Sequence, residues 1–174
     1  MTETRAIRHR NLIATGVYLA ASMRVSAQKR GIPRLEDFLF GLVTGAEMIA
    51  STLEGPANLA DTFMCEQVHL QGILSSRSFH KVRSEIGEHQ ISEAIGDTET
   101  QRNDVAASVF LIVPEVANDI GAELDEILRI LVIAIMATAT IHFSSFGMET
   151  AQEMTLDLLL EERKKHKGTP AHNV

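Results

Sequence analysis

The sequence predicts an all-α fold, a single-domain bundle of six or seven helices spanning residues 1–174. Apolar residues recur at helical spacing, and no segment alternates apolar and polar residues as a half-buried strand does. Hydrophobic residues make up 45% of the chain, which is enough for a packed core and excludes wholesale disorder. The single cysteine excludes an intramolecular disulfide framework.

The first two helices have clear ends. We expect one from about residue 5 to 30, because Gly31 stands where a helix commonly ends. The second is expected from about residue 35 to 53. Glu36 and Asp37 lie in its first turn, where the helix dipole favours acidic side chains.

Two further helices are expected before the midpoint of the chain. Asn58 is a suitable N-cap for a third helix that reaches about Leu74. Ser75 or Ser76 is a suitable N-cap for a fourth, with a weaker pattern that continues to about Ile95.

The second half of the chain predicts three more helices. Two are expected from Arg102 to about Asn118 and from Glu123 to about Phe143, and Pro114 is expected to kink or split the first of them. The last is expected from about Met148 to His166. Residues 168–174 are expected to form a flexible polar tail.

The two halves of the chain resemble each other. Residues 10–19 align with residues 102–111, with five of ten positions identical, and Leu35-Glu36-Asp37 recurs as Leu124-Asp125-Glu126. We interpret this as an internal duplication of a helical hairpin, packed about a pseudo-two-fold axis. The repeat-like halves cover residues of about 5–54 and 100–143.

The second helix carries two small residues four positions apart, Gly41 and Gly45. This spacing lets the backbone of another helix approach closely. We expect a tight interface here, either within the chain or between subunits.

A metal site is the main chemical candidate. Glu66 and His69 are three residues apart and share a helix face, and Glu47 on the second helix could add a carboxylate. The second Glu-x-x-His pair of a di-iron bundle is absent from the sequence. The cofactor therefore stays unknown, and the neighbouring Cys65 is expected to be buried and inert.

Charge is unevenly distributed along the chain. Residues 35–162 carry a net charge of −17, between a first segment at +6 and a last segment at +4. An acidic body repels phosphate, so extended nucleic-acid binding is not expected. A contact limited to the basic Arg5, Arg8 and Arg10 remains an alternative.

No transmembrane segment is expected. The most apolar stretch, Ile127–Phe143, contains Arg129 and is shorter than the roughly 20 residues that cross a bilayer. Residues 11–23 are too diluted by polar and small residues for a signal peptide. A cytoplasmic protein is therefore expected.

The leading functional hypothesis is a non-enzymatic helical protein. Such a protein would act through homo-oligomerisation, most simply as a two-fold dimer, and through association with a protein partner as an adaptor, regulator or structural component. No Gly-rich phosphate loop, Gly-x-Ser-x-Gly elbow or His-Glu-x-x-His motif is present. The alternative is a metal- or small-molecule-dependent helical enzyme centred on Glu66 and His69.

Overall fold

The computed structural model describes residues 4–53, 58–87 and 96–167. Its α-helices are α1 (Arg5–Lys29), α2 (Leu35–Thr52), α3 (Leu59–Glu66), α4 (Leu70–Leu74), α5 (Arg77–Ile86), α6 (Thr98–Asp119), α7 (Leu124–His142) and α8 (Met148–Lys167). The 3₁₀ turn Gln67–His69 joins α3 to α4 without leaving helical backbone, so these two form one bent helix. The all-α bundle of six or seven helices is thus confirmed, and the described ranges contain no strand.

Two predicted N-caps are confirmed. The Asn58 side chain accepts a hydrogen bond from the Asp61 amide at 3.0 Å, and the Ser76 hydroxyl accepts one from the Phe79 amide at 3.1 Å. Each satisfies an amide that the first turn of a helix leaves without a partner.

Two features of the helices differ from the sequence prediction. Helix α5 ends at Ile86, because Gly87 takes an extended conformation, and residues 88–95 lie outside the described residues. Helix α6 runs unbroken through Pro114, so the proline does not split it. The predicted flexible tail at 168–174 also lies outside the described residues.

Helices α1, α2, α6 and α7 form the centre of the bundle. Helix α7 packs on α1, α2, α3 and α8, while α6 packs chiefly on α2. The close contacts between α2 and α6 follow the same order along both helices, from Gly41 with Val105 to Gly45 with Val109, so the two helices are parallel. Contacts with its neighbouring helices bury nearly every side chain of α7 between Leu128 and Ala139.

Helices α1 and α7 are parallel as well. Arg8 meets Glu126 near the start of both helices, and Gly16 meets Ile133 about two turns further along both. Each helix of the α1–α2 pair therefore packs chiefly on a helix of the α6–α7 pair, α1 on α7 and α2 on α6, and the two consecutive helices within each pair make few contacts with each other.

Helices α1 and α6 are antiparallel and touch only weakly. Arg30, beyond the end of α1, pairs with Asp104 near the start of α6 at 2.7 Å. Arg8, near the start of α1, donates to the carbonyl of Ile120 at the end of α6 at 3.1 Å. Contacts at both ends hold the two helices side by side, with little direct packing between them.

A buried arginine fixes α5 against α1. Arg24 is fully buried and donates to the carbonyl oxygens of Ile32, Pro33 and Ile86 at 2.8–3.3 Å. These carbonyls belong to the α1–α2 turn and to the last residue of α5. The guanidinium thereby satisfies acceptors that helix ends and turns leave open.

No helix within the described residues is long and apolar enough to cross a membrane.

Candidate functional site

The predicted tight interface at Gly41 and Gly45 lies inside the chain. A Cβ atom at Gly41 would stand 2.5 Å from the Val105 Cβ, and one at Gly45 would stand 2.6 Å from the Val109 Cβ. Both glycines are buried against α6. Of the two alternatives left open by the sequence, the structure therefore uses these glycines for internal packing.

A polar cluster lies where α3, α1 and α7 meet. The carboxylate of Glu66, at the end of α3, is buried and accepts a hydrogen bond from the Arg129 Nε of α7. Arg129 Nη2 also donates to His9 Nδ1 of α1 at 2.6 Å. Since arginine has no acceptor, His9 must be unprotonated at Nδ1.

The His9 ring also contacts the ring of His69, with their centroids 4.4 Å apart. Partial burial lowers the pKa of His9 below its usual value, and the neighbouring His69 and Arg129 lower it further. The Glu66 carboxylate opposes them. His9 is therefore neutral at pH 7 and suited to accept from Arg129.

One oxygen of this cluster has no hydrogen-bond partner among the described residues. The Oε2 atom of Glu66 is buried and makes no hydrogen bond within that part of the chain, although its Oε1 pairs with Arg129. Leaving a buried carboxylate oxygen unsatisfied costs stability.

The metal-site prediction gains little support from this geometry. Among residues 4–53, 58–87 and 96–167, no three or more His, Cys, Asp or Glu side chains are arranged to hold a metal ion. Glu66 faces an arginine, His69 is exposed on the 3₁₀ turn, and Glu47 is buried on α2. The structure brings His9, rather than Glu47, to the Glu66–His69 pair.

The expectation of a buried Cys65 is wrong. Its side chain is exposed on α3, because the buried face of that helix carries Phe63 and Glu66 instead.

A second charged contact ties the start of α1 to the start of α7. Arg8 donates two hydrogen bonds to the Glu126 carboxylate, both at 2.8 Å. These bonds lower the pKa of Glu126 to about 2. Arg8 is therefore committed to the fold, whereas Arg5 and Arg10, the other members of the basic segment, are exposed.

An open apolar groove separates α1 from α6. It holds about 650 Å³. Its apolar walls are Leu12 and Leu19 from α1 and Ile112, Val116 and Ile120 from α6. Asn11, Thr15 and Ser22 supply a polar rim. The contacts of Arg8 and Arg30 bound it at its two ends.

Large apolar side chains are exposed on both sides of this groove. Leu111 of α6 is 72% exposed, and Tyr18 and Ile7 of α1 are about 40% exposed. Ile7, Ala14, Tyr18 and Val25 follow one another on α1 at intervals of seven, four and seven residues, which places them on one stripe. We call the groove, this stripe and Leu111 the α1–α6 face.

Sequence reasoning missed two features of these sites. His9 and Arg129 lie 120 residues apart, and nothing in their local sequence signals that they meet. The α1–α6 face was hidden because the groove requires two helices from different halves of the chain.

Searches of protein-family models, of curated proteins and of solved structures find no match to this chain.

Proposed function

We propose that this protein acts by association, with the α1–α6 face as the contact surface and a second copy of the chain as its occupant. The observation that carries this proposal is the open groove between α1 and α6, whose walls are apolar. Exposed apolar surface of this kind, rimmed by polar side chains, is typical of protein–protein contacts.

A second copy fits the α1–α6 face because this face has both an apolar groove and exposed apolar side chains. The side chains of one copy can cover the groove of the other. A two-fold dimer needs a single surface that is complementary to itself. Leu111 and Tyr18 project beside the groove that contains Leu12 and Leu19. Each copy can therefore place its exposed side chains over the groove of the other.

The alternative, a metal- or small-molecule-dependent enzyme at Glu66 and His69, has weaker support. A metal there would compete with Arg129, whose guanidinium already neutralises the Glu66 carboxylate. It would also need His9 to give up the hydrogen bond that it accepts from Arg129. Stoichiometric metal in purified protein, lost in His69→Ala, would favour this alternative.

Sedimentation velocity at micromolar concentration tests the association. We expect a dimer for the native chain and a monomer for Leu111→Asp combined with Tyr18→Asp. Val68→Asp is the matched control, because Val68 is 80% exposed on the 3₁₀ turn, away from the α1–α6 face. A monomeric native chain, or equal dissociation in the control, would contradict the proposal.

We infer also that the two helix pairs, α1–α2 and α6–α7, arose by duplication. Both α1 and α6 end in the same turn: the Ile32 amide donates to the Ala27 carbonyl, and the Ala122 amide donates to the Ala117 carbonyl. Gly31 and Gly121 take positive φ in these turns, as helix-terminating glycines do. Sequences of related chains test this, since a true duplication predicts a half-to-half match that persists among them.

A further inference from the structure

Two arrangements are open to a two-fold dimer that uses the α1–α6 face, and this inference rests on the function proposed above. A two-fold axis perpendicular to the helices sets α1 against α1 and α6 against α6. An axis parallel to the helices sets α1 of one copy against α6 of the other. The two arrangements bury the same surfaces, so apolar contact alone does not choose between them.

The charges of the two helices differ in sign. Helix α1 has three exposed basic residues, Arg5, Arg10 and Lys29, and no acidic residue, whereas all four acidic residues of α6 are exposed. Lys29 on α1 and Glu115 and Asp119 on α6 are exposed. Like helices placed face to face would bring charges of the same sign together, which opposes association.

We propose that α1 of one copy lies antiparallel against α6 of the other, about a two-fold axis parallel to both helices. Rotation about such an axis keeps every residue at its own height along the bundle. The antiparallel relation of α1 and α6 within the chain is therefore repeated between chains. The result is a four-helix contact in which each basic helix has an acidic neighbour on two sides.

The exposed side chains come into register in this arrangement. Within the chain, Arg30 stands level with Asp104 and Arg8 with Ile120. Ser22 of α1, between these two ends, is therefore nearly level with Leu111 of α6. The same heights apply between copies, so Leu111 of each copy meets the α1 stripe of the other, near Tyr18.

Charge reversal on α6 tests the choice of neighbour. Glu115→Lys combined with Asp119→Lys makes α6 basic and brings it against the basic α1 of the other copy. We expect the dimer dissociation constant to rise by about tenfold or more. Glu153→Lys combined with Asp157→Lys makes the same change in charge on exposed positions of α8 and is expected to leave the constant unchanged.

Salt gives an independent measure. The native dimer should weaken as salt rises, because the attraction between α1 and α6 is screened. A dimer with α1 against α1 would instead tighten with salt, and the reversal of Glu115 and Asp119 would not weaken it.

Cross-linking between chains locates the neighbours directly. In a Cys65→Ser background, Ser22→Cys chains are mixed with differently tagged Leu111→Cys chains and treated with a short bis-maleimide. We expect cross-links between the two kinds of chain. Links confined to chains of the same kind would overturn the arrangement while leaving the dimer, whereas a native chain that sediments as a monomer would overturn the proposed function itself.

Discussion

The α2–α6 and α1–α7 contacts share one pairing of charges but place their small residues on opposite helices. In both, an acidic side chain in the first turn of a helix meets an arginine of its parallel neighbour. Asp37 pairs with Arg102 at 2.9 Å, and Glu126 pairs with Arg8 at 2.8 Å. Asp37 and Glu126 occupy matching positions in the Leu-acid-acid starts of α2 and α7.

The close approach of the helices is arranged differently in the two contacts. In α2–α6, Gly41 and Gly45 lie on the helix that carries the acid. In α1–α7 the matching positions are Ile130 and Ala134, and the room is supplied by Gly16 on the opposite helix. The two contacts therefore share the charge pair at the start of the helices. They differ in which helix carries the glycine that lets the backbones approach closely.

A methyl group at Gly41 should break the α2–α6 contact and have the largest effect. Its Cβ would meet both the Val105 Cβ and the Arg102 carbonyl oxygen, at 2.5 and 2.6 Å. We expect Gly41→Ala to lower the free energy of unfolding by about 3 kcal/mol, measured by urea denaturation. Gly16→Ala should cost about 2 kcal/mol, because its Cβ would stand somewhat farther from its neighbours, 2.7 Å from the Ile133 Cγ2 and 2.9 Å from the Ile130 carbonyl oxygen.

Gly72→Ala is the control for these substitutions. No atom of residues 4–53, 58–87 and 96–167 lies within 4 Å of a Cβ built at this exposed position of α4, apart from its own helix. We expect a change between zero and a gain of about 1 kcal/mol, since alanine favours helix over glycine. Equal losses at Gly41 and Gly72 would contradict the packing described for α2 and α6.

Removing the arginines compares the two charge pairs. Asp37 has only 1% of its side chain exposed, whereas Glu126 has 15%, so the carboxylate left behind is worse solvated in α2–α6. We expect Arg102→Met to cost about 2 kcal/mol and Arg8→Met about 1 kcal/mol in thermal or urea unfolding.

Arg77→Met, at an exposed position of α5, controls for the loss of a positive charge and is expected to be nearly neutral. A larger loss in Arg8→Met than in Arg102→Met would reverse the order that burial predicts.

The stability of the protein at low pH tests the Arg8–Glu126 pair. Its pKa is about 2 in the folded chain and 4.5 in the unfolded chain, so the unfolded state takes up protons first. The stability that this carboxylate provides is complete above about pH 4.5 and is lost as the pH falls toward 2. In Arg8→Met this part of the pH dependence should shrink, as followed by unfolding at a series of pH values. An equal loss of stability between about pH 4.5 and 2 in Arg8→Met and in the native chain would contradict this role of Arg8.

The smallest effect is expected at His9, which links α1 to α7 through Arg129. Because its pKa lies below the usual 6.5, the unfolded chain binds the proton more tightly, and stability should fall as the pH drops below 6.5. His9→Gln should reduce this fall in stability below pH 6.5. His80→Gln, at an exposed position of α5, should not change it, and a proton NMR titration of His9 gives the same answer directly.

Features encoded by neighbouring residues were predictable from the sequence. The caps at Asn58 and Ser76 follow from side chains that reach the amides of their own helix. The close contact at Gly41 and Gly45 followed from their spacing, since only a missing side chain permits such an approach.

Features that depend on distant parts of the chain were not predictable. The choice of α6 as the neighbour of Gly41, the meeting of His9 with His69, and the exposure of Cys65 all depend on how the helices are placed. Arg129 was visible only as an interruption of an apolar run. Its role as the partner of Glu66 depends on the packing of α7 against α3.

The pairing of α1 with α7 and of α2 with α6 has a consequence for how the chain folds. Arg8 and Glu126 are 118 residues apart, so α1 meets its main neighbour only after most of the chain has left the ribosome. Contacts of such long sequence separation slow folding, because a long loop must close before they form. Until then the faces of α1 and α2 that pack on α7 and α6 stay exposed in the nascent chain, a state that favours aggregation.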